Sequence, residues 1–231
     1  MLDLLRVRLR QRTNPVNPRD TGGGLPERFR GRLAASADAG AASRRLPVID
    51  LGATVFAPEE AVDGLHFTGD HRMAARTRQG LVSGDGEIEL AQALDAKMRS
   101  LLGRSLRLRS VAAGSCGGCE AELTALGNVV FDMARFGVQF VASPRHADGI
   151  VITGVVSANM REALEKTYEA VPDPRIVIAV GACAISGGVF QGSDQTTAIP
   201  PSIPVDLWIP GCPPHPLTLL DGLLRLLGRL E

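Results

Sequence analysis

The second half of this sequence, residues 104–231, predicts an α/β domain: a mostly parallel, flavodoxin-like sheet with helices on both faces. Two observations lead there. Short, fully apolar runs alternate with amphipathic stretches of helical period, and strands buried on both faces belong to parallel sheets. The number of strand–helix units then fits the flavodoxin-like order.

Each element follows from its own pattern. SLRLRSVAAG (105–114) alternates and then turns apolar, as a strand does on entering a core. EAELTALGNVVFDMAR (120–135) predicts a helix, VQFVA (138–142) a short strand, and GIVITG (149–154) a buried strand. In ANMREALEKTYEAV (158–171), Met160, Leu164, Tyr168 and Val171 fall on one helical face, and Pro-Asp-Pro ends the run. RIVIAVGAC (175–183) and PVDLWIPGC (204–212) predict two more strands. HPLTLLDGLLRLLGRL (215–230) closes as a helix with a leucine-rich face. Upstream, residues 47–103 form an extension that is turn-rich at first, with an amphipathic helix predicted over 88–103.

Composition narrows the function. Of 231 residues, 45% are hydrophobic and 22% charged, enough for one good core and an extra segment. No uncharged apolar run approaches about 18 residues, so no membrane span is expected. Arginine interrupts the opening MLDLLRVRLR, so no signal peptide is expected either. The 25 basic and 25 acidic side chains cancel, which argues against a general nucleic-acid binder. With one Trp, one Tyr and seven Phe, a base-stacking surface is also excluded.

The charge is unevenly placed. Residues 1–46 carry ten Arg against Asp3, Asp20, Glu27 and Asp38, and they are rich in Pro, Gly and Ala. Such a segment buries little apolar surface against its ordering entropy. It reads as a basic, loop-rich arm, either solvated or laid on an acidic partner or anionic lipid headgroups.

The cysteines carry the chemistry. Cys116 and Cys119 stand in GSCGGCE, Cys183 follows RIVIAVGA, and Cys212 follows LWIPG. Each locus lies just past the carboxyl end of a predicted strand, and in an open α/β sheet those ends form one ligand-binding rim. Gly114, Gly117, Gly118, Gly181, Gly187, Gly188 and Gly211 surround the thiols, so backbone amides can approach sulfur closely, while Pro213 and Pro214 stiffen the last loop. Four buried small hydrophobes, a structural zinc site and a redox dithiol at Cys116 and Cys119 are the competing readings. A [4Fe–4S] cluster accounts for all four thiols, whereas zinc sites usually use two closely spaced pairs; Cys183 and Cys212 stand alone, 64 and 93 positions beyond Cys119.

Over residues 105–230 the runs GSCGGCEAE, RFGVQFVASPRHADGIVITG, PDPRIVIAVGACAISGGVF and IPVDLWIPGCPPHP resemble one family. It is the cluster-bearing small subunit shared by energy-converting, membrane-bound [NiFe]-hydrogenases of the formate hydrogenlyase type and by NADH:quinone oxidoreductase, where it is the B subunit. The resemblance implies one [4Fe–4S] cluster on Cys116, Cys119, Cys183 and Cys212, beside the active site of a large catalytic subunit. It also implies ferredoxin-like and membrane partner subunits and a peripheral place at the cytoplasmic face of the inner membrane. The quinone-reducing branch usually has adjacent cysteines at the first locus. Cys-Gly-Gly-Cys here, with His146, resembles the hydrogenase branch.

Further residues are weighed from the same resemblance. Glu122 matches an acid kept by both branches and is a candidate for proton transfer, although Glu120 and Glu122 also suit a first helical turn. Arg145 and His146 are candidates to contact cluster or partner, and Asp206 beside Trp208 reads as structural. The stretch through FTGDHRMAARTRQGLV is similar to a ferredoxin-type partner subunit, but the cluster spacing falls on Thr54, Ala57, Glu60 and Gly64, none of them a thiol. Residues 47–83 are therefore expected to be either a ferredoxin-like module without clusters or an ordinary surface extension. The chain is expected to be an electron-transfer subunit of an oxidoreductase, not catalytic alone. The rivals are a quinone-reductase or nickel-free relative and a zinc-stabilised assembly protein.

Overall fold

The computed structural model of the chain describes residues 16–19, 25, 29–35, 65–81, 90–102, 105–114 and 116–230. Among the described residues seven strands run in chain order: β1 (Leu33–Ala35), β2 (Leu65–Phe67), β3 (Leu106–Ala112), β4 (Val138–Phe140), β5 (Gly149–Thr153), β6 (Ile176–Val180) and β7 (Leu207–Ile209). The helices are α1 (Ala96–Leu102), α2 (Gly118–Ala125), α3 (Ala158–Glu169), α4 (Ala182–Ser186) and α5 (Pro216–Leu226).

Strands β3 to β7 form a five-stranded, all-parallel sheet in the order β4-β3-β5-β6-β7. Counted from its own first strand this is the 2-1-3-4-5 order of flavodoxin-like sheets, as the sequence predicts. Every residue of β5 and β6 is buried, which is why both are uninterrupted apolar runs. Their alternate side chains feed two cores. Val151, Ile178 and Val180 face Leu123 of α2 and the α5 leucines, whereas Ile150, Ile152 and Val177 face Leu164 of α3 and Val171. Met160 and Tyr168 complete that second core, on the face that their spacing predicts.

Two helices are shorter than the sequence suggests. The helix expected over 120–135 stops at Ala125 and gives way to turns and a 3-10 turn at Met133–Phe136. Asn128 causes this: its Oδ1 accepts the amides of Val130 (2.8 Å) and Phe131 (3.1 Å), a local turn that competes with helical bonding. The helix expected over 88–103 begins only at Ala96, where Asp95 Oδ1 accepts the Met98 amide at 2.9 Å. Before it, Ala91 and Leu94 donate to the carbonyls of Ala74 and Leu226, so that backbone is committed across the fold.

The described parts of the extension share the core of the sheet domain. β1 and β2 pair antiparallel, and Gly31 and Arg32 bond to Thr68 and Asp70. Ala74, Ala91, Leu94 and Leu102 pack with the α5 leucines, and Met73, Ala75 and Leu81 pack with Ile185 of α4. Ala75 and Trp208 exchange backbone bonds of 3.0 and 2.9 Å along β7. As a result α5 is buried on all sides, including its polar stripe of Thr218, Asp221 and Arg225. Arg225 Nε meets Asp221 Oδ2 at 3.0 Å, which pairs the two buried charges. Thr54, Ala57, Glu60 and Gly64 lie outside the described residues.

Candidate metal centre

Each cysteine sits where a strand ends and its chain turns over the sheet. β3 ends at Ala112 and leads to Cys116 and, in the first turn of α2, Cys119. β6 ends at Val180 and leads to Cys183 in α4; β7 ends at Ile209 and leads to Cys212. The last two loops are fastened to each other, because Gly181 donates to the Ile209 carbonyl (2.9 Å) and Ala182 to that of Gly211 (2.8 Å). The Cys212–Pro213 peptide is cis.

Two glycines let the loops close. Gly181, at φ 89° and ψ 158°, lies so near that a Cβ there would stand 2.6 Å from Cys119 Sγ. A Cβ on Gly211, at φ 144°, would stand 2.4 Å from Pro214 Cα. Both positions therefore require the residue without a side chain.

The four thiols share one electrostatic environment: Cys119 feels the charge of the other three, Cys183 that of Cys212 and Cys116, and Cys212 that of Cys116. Burial, then Glu120, then the other thiols push the Cys119 thiol up to about 12. Burial and the neighbouring thiols likewise raise Cys183 and Cys212. Gathering four ionised sulfurs here is costly unless a cationic centre offsets their charge, and metal ligation requires those protons to leave. Donor set and loop geometry thus fit a thiolate-held iron–sulfur core. Among the described residues no three His, Cys, Asp or Glu side chains close on a single ion, so the fit rests on the shared thiol environment.

The acids divide. Glu120 reaches back to the sheet, where the Thr153 hydroxyl donates to its Oε1, and its charge is felt at Cys119 and Cys183. Glu122 is half-buried and burial raises its carboxyl. Sequence reasoning favours Glu122 for proton transfer; Glu120 is the acid tied electrostatically to the thiols. The signal that could have found it is its place one residue after Cys119. Arg145 and His146 are exposed in a 3-10 turn between β4 and β5, close before the start of β5 and so toward the amino edge of the sheet, away from the thiols. Asp206 accepts the Val177 amide at 2.9 Å, and the Asp206 amide donates to the Val177 carbonyl at 2.8 Å, a strand-joining role.

His215 caps α5 three residues after Cys212. Its Nδ1 accepts the Leu217 amide at 3.2 Å, and its ring meets Phe29 and Phe131 edge-on. Burial, and then the proximity of His71, lower its pKa.

The chain is similar to subunits of known oxidoreductase complexes. The family model described as NADH ubiquinone oxidoreductase, 20 Kd subunit, matches residues 116–226, a span that contains all four cysteines. The chain is 44% identical over 136 residues to a probable membrane-bound hydrogenase subunit of Pyrococcus furiosus, covering 58% of this chain and 81% of that protein. It is 39% identical to formate hydrogenlyase subunit 7 of Escherichia coli, covering 62% of this chain and 56% of that protein. With the B subunit of the NADH-quinone oxidoreductase of Desulfovibrio desulfuricans the identity is 45%, over 47% and 59% of the two chains. The chain thus spans a little over half the length of these last two. Among solved structures, a chain of the archaeal membrane-bound sulfane sulfur reductase superposes with a TM-score of 0.51 at 32% identity, covering 58% of this chain and 75% of that one. These relatives are subunits of oxidoreductase complexes, and among the described residues no helix is long and apolar enough to cross a membrane. On this similarity, the chain belongs to the NADH ubiquinone oxidoreductase 20 Kd subunit family.

Proposed function

We propose that this chain is the electron-transfer subunit of a hydrogenase-type membrane complex, holding one [4Fe–4S] cluster on Cys116, Cys119, Cys183 and Cys212 next to the active site of a large catalytic subunit. The observation that carries the reading is the meeting of four thiols from three strand ends in one environment on the carboxyl edge of the sheet. When bound, such a cluster accepts and passes on one electron at a time. The chain's own residues hold it: the thiols ligate, the glycine-lined loops close around them, and the buried sheet keeps water from the inner side. Cys116, exposed, and the exposed Val189 and Phe190 after α4 mark the side that meets the large subunit. Ferredoxin-like and membrane subunits complete the complex and hold the chain peripherally at the cytoplasmic face of the inner membrane.

A second reading, the B subunit of a quinone reductase or of a nickel-free relative, is favoured by the 45% identity to such a protein. The Cys-Gly-Gly-Cys spacing of the first locus weighs toward the hydrogenase type.

The deciding experiment uses the purified complex under anaerobic conditions. Iron and labile sulfide should come to about four each per copy of this chain once the partners' clusters are subtracted. Hydrogen should reduce the cluster, seen by low-temperature electron paramagnetic resonance. An oxidised cluster under hydrogen, no nickel, and turnover blocked by a quinone-site inhibitor would establish the second reading. Zinc in place of iron would end both.

A further inference from the structure

Against α5 lies a buried polar side chain that the candidate metal centre does not use. His71 is fully buried, and neither of its ring nitrogens has a hydrogen-bond partner among the described residues. The Thr218 hydroxyl, on α5, is buried and unpartnered in the same way. Groups of this kind have given up their hydration, and in native proteins they are satisfied by protein or by ordered water.

The backbone around His71 is fixed. Its two neighbours lock onto each other: Asp70 Oδ1 accepts the Arg72 amide at 3.0 Å and Arg72 Nε at 2.8 Å, and Arg72 Nη2 donates to Oδ2 at 2.8 Å. Beyond them Ala74 abuts α5 so closely that a Cβ on Gly222 would stand 2.7 Å from the Ala74 Cβ. The charge of His71 is felt at both His215 and Asp221. These two stand six residues apart on α5, about 9 Å along its axis, and Thr218 is midway between them. His71 therefore faces a line of three polar groups.

Those groups have hydrogen-bonding capacity to share. Arg225 Nε occupies one lone pair on each Asp221 oxygen, at 3.1 and 3.0 Å, and a carboxylate has about four. His215 Nδ1 accepts the Leu217 amide, so the neutral ring carries its proton on Nε2 as a donor. A neutral imidazole at position 71 donates from one nitrogen and accepts at the other. An ordered internal water needs about two to four polar partners, which this line supplies.

We propose that His71 binds two internal waters, one shared with the Thr218 hydroxyl and the Asp221 carboxylate, the other with the Nε2–H of His215. They complete a hydrogen-bonded chain from Asp221 through His71 to His215. The chain fixes the tautomer of His215 and makes His71 a positioning residue for the amino end of α5, just beyond Cys212. His71 lies outside the span of the family model, residues 116–226, and the chain of bonds stands on these residues whether or not a cluster is held.

The test compares the unaltered protein with Thr218→Val, His71→Gln and His71→Leu, each purified with its partners, by amide hydrogen exchange in peptides of α5. Valine keeps the branching of threonine and lacks only the hydroxyl. Thr218→Val and His71→Leu should exchange about 5- to 100-fold faster, because each strands a buried polar partner. His71→Gln, whose amide both donates and accepts, should exchange more slowly than His71→Leu. A structure of the unaltered protein fine enough to show ordered water should place a water on each His71 nitrogen. A hydroxyl that bonds to nothing gives the opposite sign, since an apolar replacement then relieves its cost. Thr218→Val exchanging no faster than the unaltered protein therefore overturns the proposal, and this near-isosteric variant reports even where His71→Leu fails to assemble. Greater protection in His71→Leu than in His71→Gln, the order that packing alone gives, overturns it too. So does a structure with no water on either nitrogen.

Discussion

Gly181→Ala tests the candidate metal centre at its tightest point. At φ 89° and ψ 158° the backbone occupies a region essentially reserved for glycine, and an alanine there costs about 1–3 kcal/mol. The added Cβ would also stand 2.6 Å from Cys119 Sγ, about 1 Å inside ordinary contact. Gly181 cannot retreat without breaking its 2.9 Å bond to the Ile209 carbonyl, so the thiol is the group that moves. For a chain of this size each kcal/mol lowers Tm by about 2–4 °C, giving a fall of roughly 2–12 °C from the backbone cost alone. Gly192→Ala is the comparator: φ is 82°, and no atom lies within 4 Å of its Cβ, so it carries backbone strain without touching a thiol. Iron content per chain and thermal unfolding are measured for both. Both variants should lose stability, and only Gly181→Ala should lose iron. A Gly181→Ala protein with full iron, or a Gly192→Ala protein equally depleted, would refute the reasoning.

Two further outcomes are expected. Cys183→Ser and Cys212→Ser replace a soft ligand with a hard one, so either should remove most of the bound iron and the electron transfer while the partner subunits are still made; near-normal turnover in either counts against the ligand set. His215 has its pKa lowered from 6.5 by burial and then by His71, so its stabilising contribution is complete above about pH 6.5 and is lost as pH falls through the lower folded value. Protonation also turns Nδ1 from acceptor to donor and removes the α5 cap. His215→Asn keeps a capping oxygen and does not titrate, so its Tm should fall less than the unaltered protein's between about pH 7 and pH 5; parallel curves would contradict this.

The sheet was legible because β5 and β6 are buried on both faces and therefore apolar at every position. The thiol loci were legible for a related reason, since glycine-flanked cysteines after such strands have one edge to share. What escaped depends on local competition. Asn128 ends α2 through side-chain bonds that no hydrophobic period reveals. The leucine spacing of α5 marks one apolar face but cannot say that the opposite stripe, Thr218, Asp221 and Arg225, is covered as well. That cover includes Ala74, which lies against Gly222, and His71 and Arg72, whose charges reach Asp221, all far away in sequence. Glu120 and Glu122 are indistinguishable by composition; the Thr153 hydroxyl, supplied by another strand, draws one of them toward the sulfurs.

The bonds between Ala75 and Trp208 have a consequence for solubility. β7 is an outer strand, and an uncovered strand edge offers free amides and carbonyls to any second molecule. Here the chain lays its own earlier backbone along that border, using both the amide and the carbonyl of each residue. The extension thus protects against intermolecular strand pairing. A cleavage that released residues 65–81 would expose an adhesive margin and uncover α4 and α5 together, and the first symptom would be self-association.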